Sequence, residues 1–199
     1  MSLNVRGLQG SGGNKGQRRR WKDLIVAARG VAILFLQETH TDEELSQEYT
    51  ERLSLRGWSS VWTAADRHSG GVAILSTSVD ARASIDSATA YVQGKRITAV
   101  TGSLNGTRVR LVSLYAPTKL TARRDFFYSL KPEELNPEGL LMILAGDFNC
   151  DFSGTRRDEE ALQALARDWR LQRRPTVSAT HLQKVRGGSV KASRSTTSS

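Results

Sequence analysis

Cysteine is nearly absent. Cys150 is the one thiol in 199 residues, so no disulfide can form within the chain and none is needed. Long apolar runs are also missing. With 38% apolar residues the composition is that of a globular protein, and no stretch approaches the roughly 20 residues that span a bilayer. The N-terminus lacks a charged-then-apolar signal pattern, so the expectation is a nuclear or cytoplasmic protein that is not secreted. Internal repeats and linker-like stretches are absent, which at this length points to one domain with a core of its own. The three histidines, His40, His68 and His181, show no metal-ligand spacing and read as structural or surface residues.

Acidic residues are scarce relative to basic ones. The chain has 20 Asp and Glu against 29 Lys and Arg, a formal charge of +9, and a pI near 10.2. That balance favours a polyanionic partner, nucleic acid before an anionic membrane surface, with a merely soluble basic protein as the plain alternative. The charge gathers at the ends: residues 1–30 hold seven Lys and Arg against one acid, and residues 151–199 hold ten against five. If the fold brings the ends together, they form one phosphate-attracting surface.

Strand and helix signals alternate irregularly. Ser2–Arg6 alternates apolar and polar and predicts a strand, followed by a glycine-rich loop through Gly16. Gln17–Arg29 predicts a helix with Trp21, Leu24, Ile25 and Ala28 on one face, stopped by Gly30. Val31–Leu36 reads as a buried strand ending in Gln37-Glu-Thr-His40. Thr41 or Asp42 then caps a helix carrying Leu45, Tyr49 and Leu53 inward. Strands are expected at Trp58–Thr63 and Gly70–Leu75, and Lys95–Ser103 and Thr107–Tyr115 form a hairpin around Asn105-Gly106. After the break at Ala116-Pro-Thr118 come a helix over Leu120–Leu130, a buried strand over Leu140–Ala145, a helix from about Asp158 to Trp169, and a polar tail. Strands outnumber helices, which predicts an α/β sandwich on mixed or antiparallel sheets rather than a doubly wound parallel one.

Three buried strands end in polar groups of one chemical kind. Val31–Leu36 delivers Glu38, Val109–Leu114 delivers Tyr115, and Leu140–Ala145 delivers Asp147 and Asn149 through Gly146, where backbone can turn sharply or approach a ligand. Asn4 sits in the first strand. In an extended segment Asp147 and Asn149 leave on the same side; the plain alternative is an Asx-turn closing a core strand. Glu38 equally opens a solvated acidic segment with Asp42, Glu43 and Glu44, and Tyr115 equally serves as a core aromatic. Gathered at one sheet edge, these groups supply two carboxylates, two amides and a phenol. Mg²⁺ prefers such oxygen ligands and needs only one or two carboxylates from protein. Phosphodiester hydrolysis needs a metal, an aligned water and hydrogen bonds to phosphoryl oxygens.

Five motifs occur in order: Leu3-Asn-Val-Arg-Gly-Leu8, Gln37-Glu-Thr-His40, Gly70-Gly-Val-Ala-Ile-Leu75, Leu114-Tyr-Ala-Pro117 and Gly146-Asp-Phe-Asn149. Together they resemble the endonuclease/exonuclease/phosphatase superfamily, and within it the apurinic-type endonuclease domain of LINE-type (non-LTR) retrotransposons. Asp168-Trp-Arg170 and Pro175 are similar to that group's segment after the metal-site motif, so the resemblance covers residues 2–194, a domain of 1–194 with a separate tail at 195–199. It implies a four-layer fold like that of deoxyribonuclease I, two packed mixed β-sheets flanked by helices. It also implies Mg²⁺-dependent nicking of DNA, with no membrane and no obligate protein partner. By that resemblance Glu38 is the metal ligand, Asn4 and Asp147 complete the metal and water network, and Asn149 and Tyr115 orient the scissile phosphate. Arg6 and Thr180, the latter in Ala-Thr-His181, match positions that contact nucleic acid. In a retrotransposon the nick exposes a 3′ hydroxyl that primes reverse transcription.

The pattern departs at its end. The family continues from Ser-Arg into a strand containing Asp and later a Ser-Asp-His tripeptide, whose histidine serves the phosphate. Here Ser193-Arg194 is followed by Ser-Thr-Thr-Ser-Ser199. Those five residues can be encoded so that the shifted frame reads Leu or Ile, then Asp-Tyr-Ile-Phe. The expectation is a frameshift near codon 195 that removed the last strands and the Asp-His pair and impairs catalysis. A Ser/Thr-rich disordered tail is the other reading of the same residues. In that case, or with the catalytic histidine lost, an inactive remnant that binds nucleic acid is the alternative function, as is another phosphodiesterase or phosphatase of the superfamily.

Overall fold

A computed structural model describes residues 1–8, 13–65, 69–77, 83–150, 157–172, 181–184 and 190–193. The chain runs β1 (Ser2–Asn4), α1 (Gly13–Ala27), β2 (Ile33–Gln37), α2 (Glu43–Ser54), β3 (Ser59–Trp62), β4 (Val72–Ser76), β5 (Ala83–Gln93), β6 (Ile97–Leu104) and β7 (Thr107–Tyr115). It continues through α3 (Leu120–Ser129), α4 (Pro132–Leu135), β8 (Leu141–Asp147), α5 (Arg157–Asp168), β9 (His181–Lys184) and β10 (Val190–Ser193). Two mixed sheets result, ordered β10-β9-β1-β2-β4-β3 and β5-β6-β7-β8. β1 pairs parallel with both β2 and β9, and β7 pairs parallel with β8.

Strand alternation sorts the apolar side chains into three cores, and three cores separate four layers. Leu34 and Leu36 of β2, with Leu3, Ala73 and Leu75, face α1 and α2. Trp21 of α1 stacks on Tyr49 of α2 with ring centroids 4.7 Å apart, which joins the two helices. Ile33 and Phe35, one residue out of step with the leucines, pack with Ile74, Val109 and Leu111 between the sheets. Val112 and Leu114 of β7 pack outward on Phe127, Leu135 and Leu162 of α3, α4 and α5. The α/β sandwich expected from the sequence is the fold observed.

Local signals match their elements closely. Asp42 caps α2, its carboxylate accepting from Leu45 N at 3.0 Å, a contact worth about 1 kcal/mol. Asn105 and Gly106 both hold positive φ, 50° and 80°, as the two-residue hairpin turn requires. Helix α1 begins four residues earlier than the apolar face predicts, because its first turn is polar. β5 and α4 are additions that the sequence reading did not contain. β5 is an edge strand of small and polar residues, mostly exposed, with a register break between Asp86 and Tyr91, so it has no apolar rhythm to detect. β9 and β10 fall where a polar tail was expected; both are four-residue strands. Residues 194–199, including the predicted tail, lie outside the described residues.

Candidate active site

Between the sheets the apolar core gives way to polar residues at one end, following the pleat. On β7 the inward series Val109, Leu111 continues to Ser113 and Tyr115. On β8 Ile143 and Ala145 continue to Asp147, and on β2 Ile33 and Phe35 continue to Gln37. Register places Tyr115 beside Asp147 and Asn4 beside Gln37. The strand ends therefore bring Asn4, Glu38, Tyr115, Asp147 and Asn149 to one place, Asn4 and Asp147 from 143 residues apart.

Asn4 is the centre of the cluster. Its Nδ2 donates to Glu38 Oε1 at 2.9 Å and to Asp147 Oδ2 at 2.8 Å, and its Oδ1 accepts from Arg6 N at 3.1 Å. One buried carboxamide thus spans two carboxylates from opposite sheets. A neutral amide with two N–H groups is the side chain that can do so without adding charge. Asp147 Oδ1 accepts from Asn149 N at 3.0 Å, so an Asx-turn does close the strand and the same carboxylate belongs to the cluster. Asn149 does not lie on the same side of an extended strand as Asp147. Its φ is +52°, the chain has turned, and its Nδ2 donates to Ala116 O at 2.7 Å.

Gly146 likewise differs from expectation. It neither turns the chain nor opens space for a ligand: a Cβ there would fall on the backbone of Leu114 in β7, with Leu114 N 3.0 Å away. The close approach is between two strands.

Glu38 sits in a backbone segment held from both sides. Gly7 N donates to its carbonyl at 2.6 Å, and Leu8 N to that of Thr39 at 2.8 Å. On the other flank Thr39 N and His40 N each donate, at 3.1 Å, to the carbonyls of Gly71 and Gly70. Gly71 holds φ +86°, and an added Cβ would meet Thr39, Ala65 and the His40 backbone, which accounts for the glycine pair in the sequence. Glu38 and His40 adopt left-handed φ of 53°, a strained conformation for side chains with a Cβ and one that collects at functional sites. His40 Nε2 lies 3.9 Å from Glu38 Oε2.

Tyr115 is buried with its phenol beside Glu38. Desolvation first, then the charge of Glu38 and hydrogen bonding to it, push its pKa up to about 12. Arg96, which the sequence reading passed over, lies over the ring with its guanidinium carbon 5.2 Å from the centroid, and its Nη1 donates to Tyr115 O at 3.1 Å. No spacing rule separates Arg96 from the other surface arginines, because the contact depends on the turn between β5 and β6. Buried Arg123 of α3 fixes the turn after Tyr115, donating to Pro117 O and Thr118 O at 3.3 and 2.7 Å.

The raised phenol pKa has a measurable consequence. A tyrosine neutral in the fold but titrating near 10 when unfolded stabilises the fold fully below pH 10, and that contribution is lost as pH rises through about 12. Urea midpoints of the wild type should therefore fall more steeply between pH 10 and 12 than those of Tyr115→Phe.

Arg6 is exposed beside the cluster, with φ +49°. Arg20 of α1 donates from Nη1 to the carbonyls of Val5 and Arg6 at 2.9 and 3.1 Å, anchoring the basic helix next to the Asn4 strand. β1 also pairs with β9 at Asn4 and His181, so the two basic ends share one sheet. Thr180 and His68 lie outside the described residues. Among the described residues no three of His, Cys, Asp and Glu form a metal-holding cluster. The donor set at the site, two carboxylates, nonetheless fits a hard cation of the Mg²⁺ type, which needs one or two protein carboxylates and otherwise keeps its waters. No helix among the described residues is long and apolar enough to cross a membrane.

The pattern of the Endonuclease/Exonuclease/phosphatase family matches residues 1–186. The uncharacterized 149 kDa protein of transposon TX1 from Xenopus laevis is 30% identical over 183 residues; the match covers 83% of this chain and 13% of that protein. Among solved structures, the endonuclease domain of TRAS1, a telomere-specific non-LTR retrotransposon, aligns over 97% of this chain and 81% of its own at 18% identity and a TM-score of 0.57. An AP endonuclease from Archaeoglobus fulgidus aligns over 83% and 68% at 15% identity with a TM-score of 0.59. A 3′-5′ exonuclease from Neisseria meningitidis aligns over 83% and 69% at 21% identity and 0.57. At these identities the structures establish a shared four-layer fold. Through the pattern that runs over most of its length, this chain belongs to the endonuclease/exonuclease/phosphatase family.

Proposed function

We propose that the chain is a Mg²⁺-dependent DNA-nicking endonuclease domain of a LINE-type retrotransposon. The observation that carries this reading is the Asn4 carboxamide bridging Glu38 and Asp147, which organises two carboxylates for a cation and a water beside two phosphate-binding groups. The relation to the transposon TX1 protein and the fold shared with the TRAS1 endonuclease support the retrotransposon setting. There a nick with a free 3′ hydroxyl would prime reverse transcription.

Glu38 would hold the Mg²⁺, with Asp147 completing its surroundings; when bound, the ion supplies positive charge against the phosphate. Tyr115, protonated across the physiological range, would turn its one hydroxyl hydrogen from Glu38 toward a phosphoryl oxygen once a cation occupies Glu38. Asn149 has a second N–H beyond the one given to Ala116, and offers it to the same phosphate. Asp147, oriented by Asn4 and by the Asn149 backbone, accepts a hydrogen bond from the attacking water and aims it in line with the leaving 3′ oxygen. Arg6 and Arg20 carry positive charge beside the strand that holds Asn4, where a DNA backbone would lie.

Supercoiled plasmid should be converted to the nicked circle with Mg²⁺ and left intact with a chelator, and Glu38→Ala should leave it supercoiled in both. Salt-sensitive DNA binding without any nicking would instead favour the second reading, a nucleic-acid-binding remnant. That reading rests on the charge alone, 29 Lys and Arg against 20 Asp and Glu.

A further inference from the structure

One pleat period below the cluster lies a second polar layer that none of the site motifs assigns. Ser2 Oγ donates to Gln37 Oε1 at 3.1 Å, Gln37 Nε2 donates to Ser113 Oγ at 3.3 Å, and Ser113 Oγ donates to Leu36 O at 3.3 Å. Gln37 is 1% exposed and Ser113 is fully buried, so water does not compete for the Gln37–Ser113 and Ser113–Leu36 bonds, while Ser2 is half-buried. The three side chains come from β1, β2 and β7. Ser2 stands two residues before Asn4, Gln37 one before Glu38, and Ser113 two before Tyr115.

We infer that the Ser2–Gln37–Ser113 chain is a clamp between the sheets, with Gln37 the positioning residue that sets the separation of Glu38 and Asn4 from Tyr115 and Asp147. The layer beneath is apolar, with Phe35, Val109, Leu111, Ile143 and Ala145 packed without direction, and another buried hydrogen bond between the sheets, Ser76 Oγ to Ala83 O at 3.2 Å, lies at the far end of the core. Dispersion and hydrophobic contacts tolerate sliding of a few tenths of an ångström, whereas a hydrogen bond of fixed length and angle does not. The Gln37 amide is the directional contact from the six-stranded sheet to the four-stranded one immediately beneath the carboxylates. Removing it leaves volume and apolar packing nearly unchanged and releases the strand ends. An Asn4 amide that must reach both Glu38 and Asp147 is the first contact to suffer.

The test uses Ser113→Ala, which deletes one hydroxyl, and Gln37→Met, which keeps the length of the side chain. The Asn4 side-chain NH2 signals are followed by NMR in the metal-free protein, and Mn²⁺ binding by calorimetry. In both variants the Asn4 signals should move toward those of a free asparagine amide and exchange faster with solvent. Mn²⁺ affinity should fall about tenfold, the lower end of what displaced support for a metal ligand costs. The double variant should cost less than the sum of the two singles, because each single already breaks the shared Gln37–Ser113 bond. Should Gln37→Met fail to fold, Ser113→Ala carries the test alone. Asn4 signals unchanged in a folded variant overturn the clamp. The cation arm rests on the endonuclease reading, and the Asn4 arm does not: wild type that binds no Mn²⁺ would sink that reading while the amide signals still decide the clamp.

Discussion

Changing Asn4 to aspartate should lower both stability and nicking, although the two side chains have nearly the same shape. All of the Asn4 carboxamide is in use, with two N–H groups on Glu38 and Asp147 and the oxygen on Arg6 N. Aspartate keeps the oxygen and replaces both donors with a third negative charge at hydrogen-bond distance from two others. Like charges this close and this poorly hydrated are worth several kcal/mol of repulsion, of which proton uptake and local opening relieve a part. A loss of about 2–4 kcal/mol at neutral pH is expected for breaking a buried charge-bearing network. The loss should shrink as pH falls, because protonating one of three carboxylates restores a donor. It should shrink also on adding Mg²⁺, which repays the repulsion. The nicking rate should fall by about 100- to 1000-fold, the usual cost of removing one preorganised donor. Urea unfolding at acid and neutral pH, with and without Mg²⁺, beside plasmid nicking, checks each part. A variant as stable as wild type without metal would mean that the bridge does not exist in solution.

Much of this arrangement is legible in the sequence because burial leaves a rhythm. Short apolar runs ending in Glu38, Tyr115 and Asp147 announce buried strands with polar ends, and Asn105-Gly106 announces the hairpin to which the Tyr115 strand belongs. Contacts that depend on neighbours leave no such trace. Asn4 and Asp147 touch across 143 residues, and only the five motifs taken together, by resemblance, place them in one site. Gln37 reads as part of a motif whose functional member is Glu38, and its own bond to Ser113 depends on the spacing of two sheets. β5 was invisible for a related reason. An exposed edge strand buries almost nothing, so selection for an apolar pattern has no grip on it. An Asx-turn and a place in the polar cluster are compatible at Asp147, since one carboxylate oxygen accepts from Asn149 N and the other from Asn4.

Gly146→Ala is expected to be among the most damaging single-methyl changes in the chain. Gly146 stands opposite Leu114 in the parallel β7–β8 pair. An added Cβ would fall on the Leu114 carbonyl oxygen, with the Leu114 carbonyl carbon 2.9 Å away. A methyl that meets a flexible side chain is accommodated by a rotamer change, but backbone in the middle of a sheet cannot step aside. β8 would have to separate from β7 or lose its register. A loss of about 3 kcal/mol in urea unfolding is expected, the upper end of ordinary overpacking. The residue that moves first is Asp147, whose carbonyl accepts from Ala116 N at 2.9 Å and whose carboxylate accepts from Asn4 at 2.8 Å. A displacement of about 1 Å at such a group lowers a rate on the order of 100-fold, so folded Gly146→Ala protein should nick plasmid far more slowly than wild type. Shortening the facing side chain gives a sharper check. Leu114→Ala in the Gly146→Ala background should bring no recovery, because the obstacle is backbone and truncation leaves it in place. Recovery in that double variant would show that the strands are not paired at Leu114 and Gly146, and Tyr115 would then not stand beside Asp147.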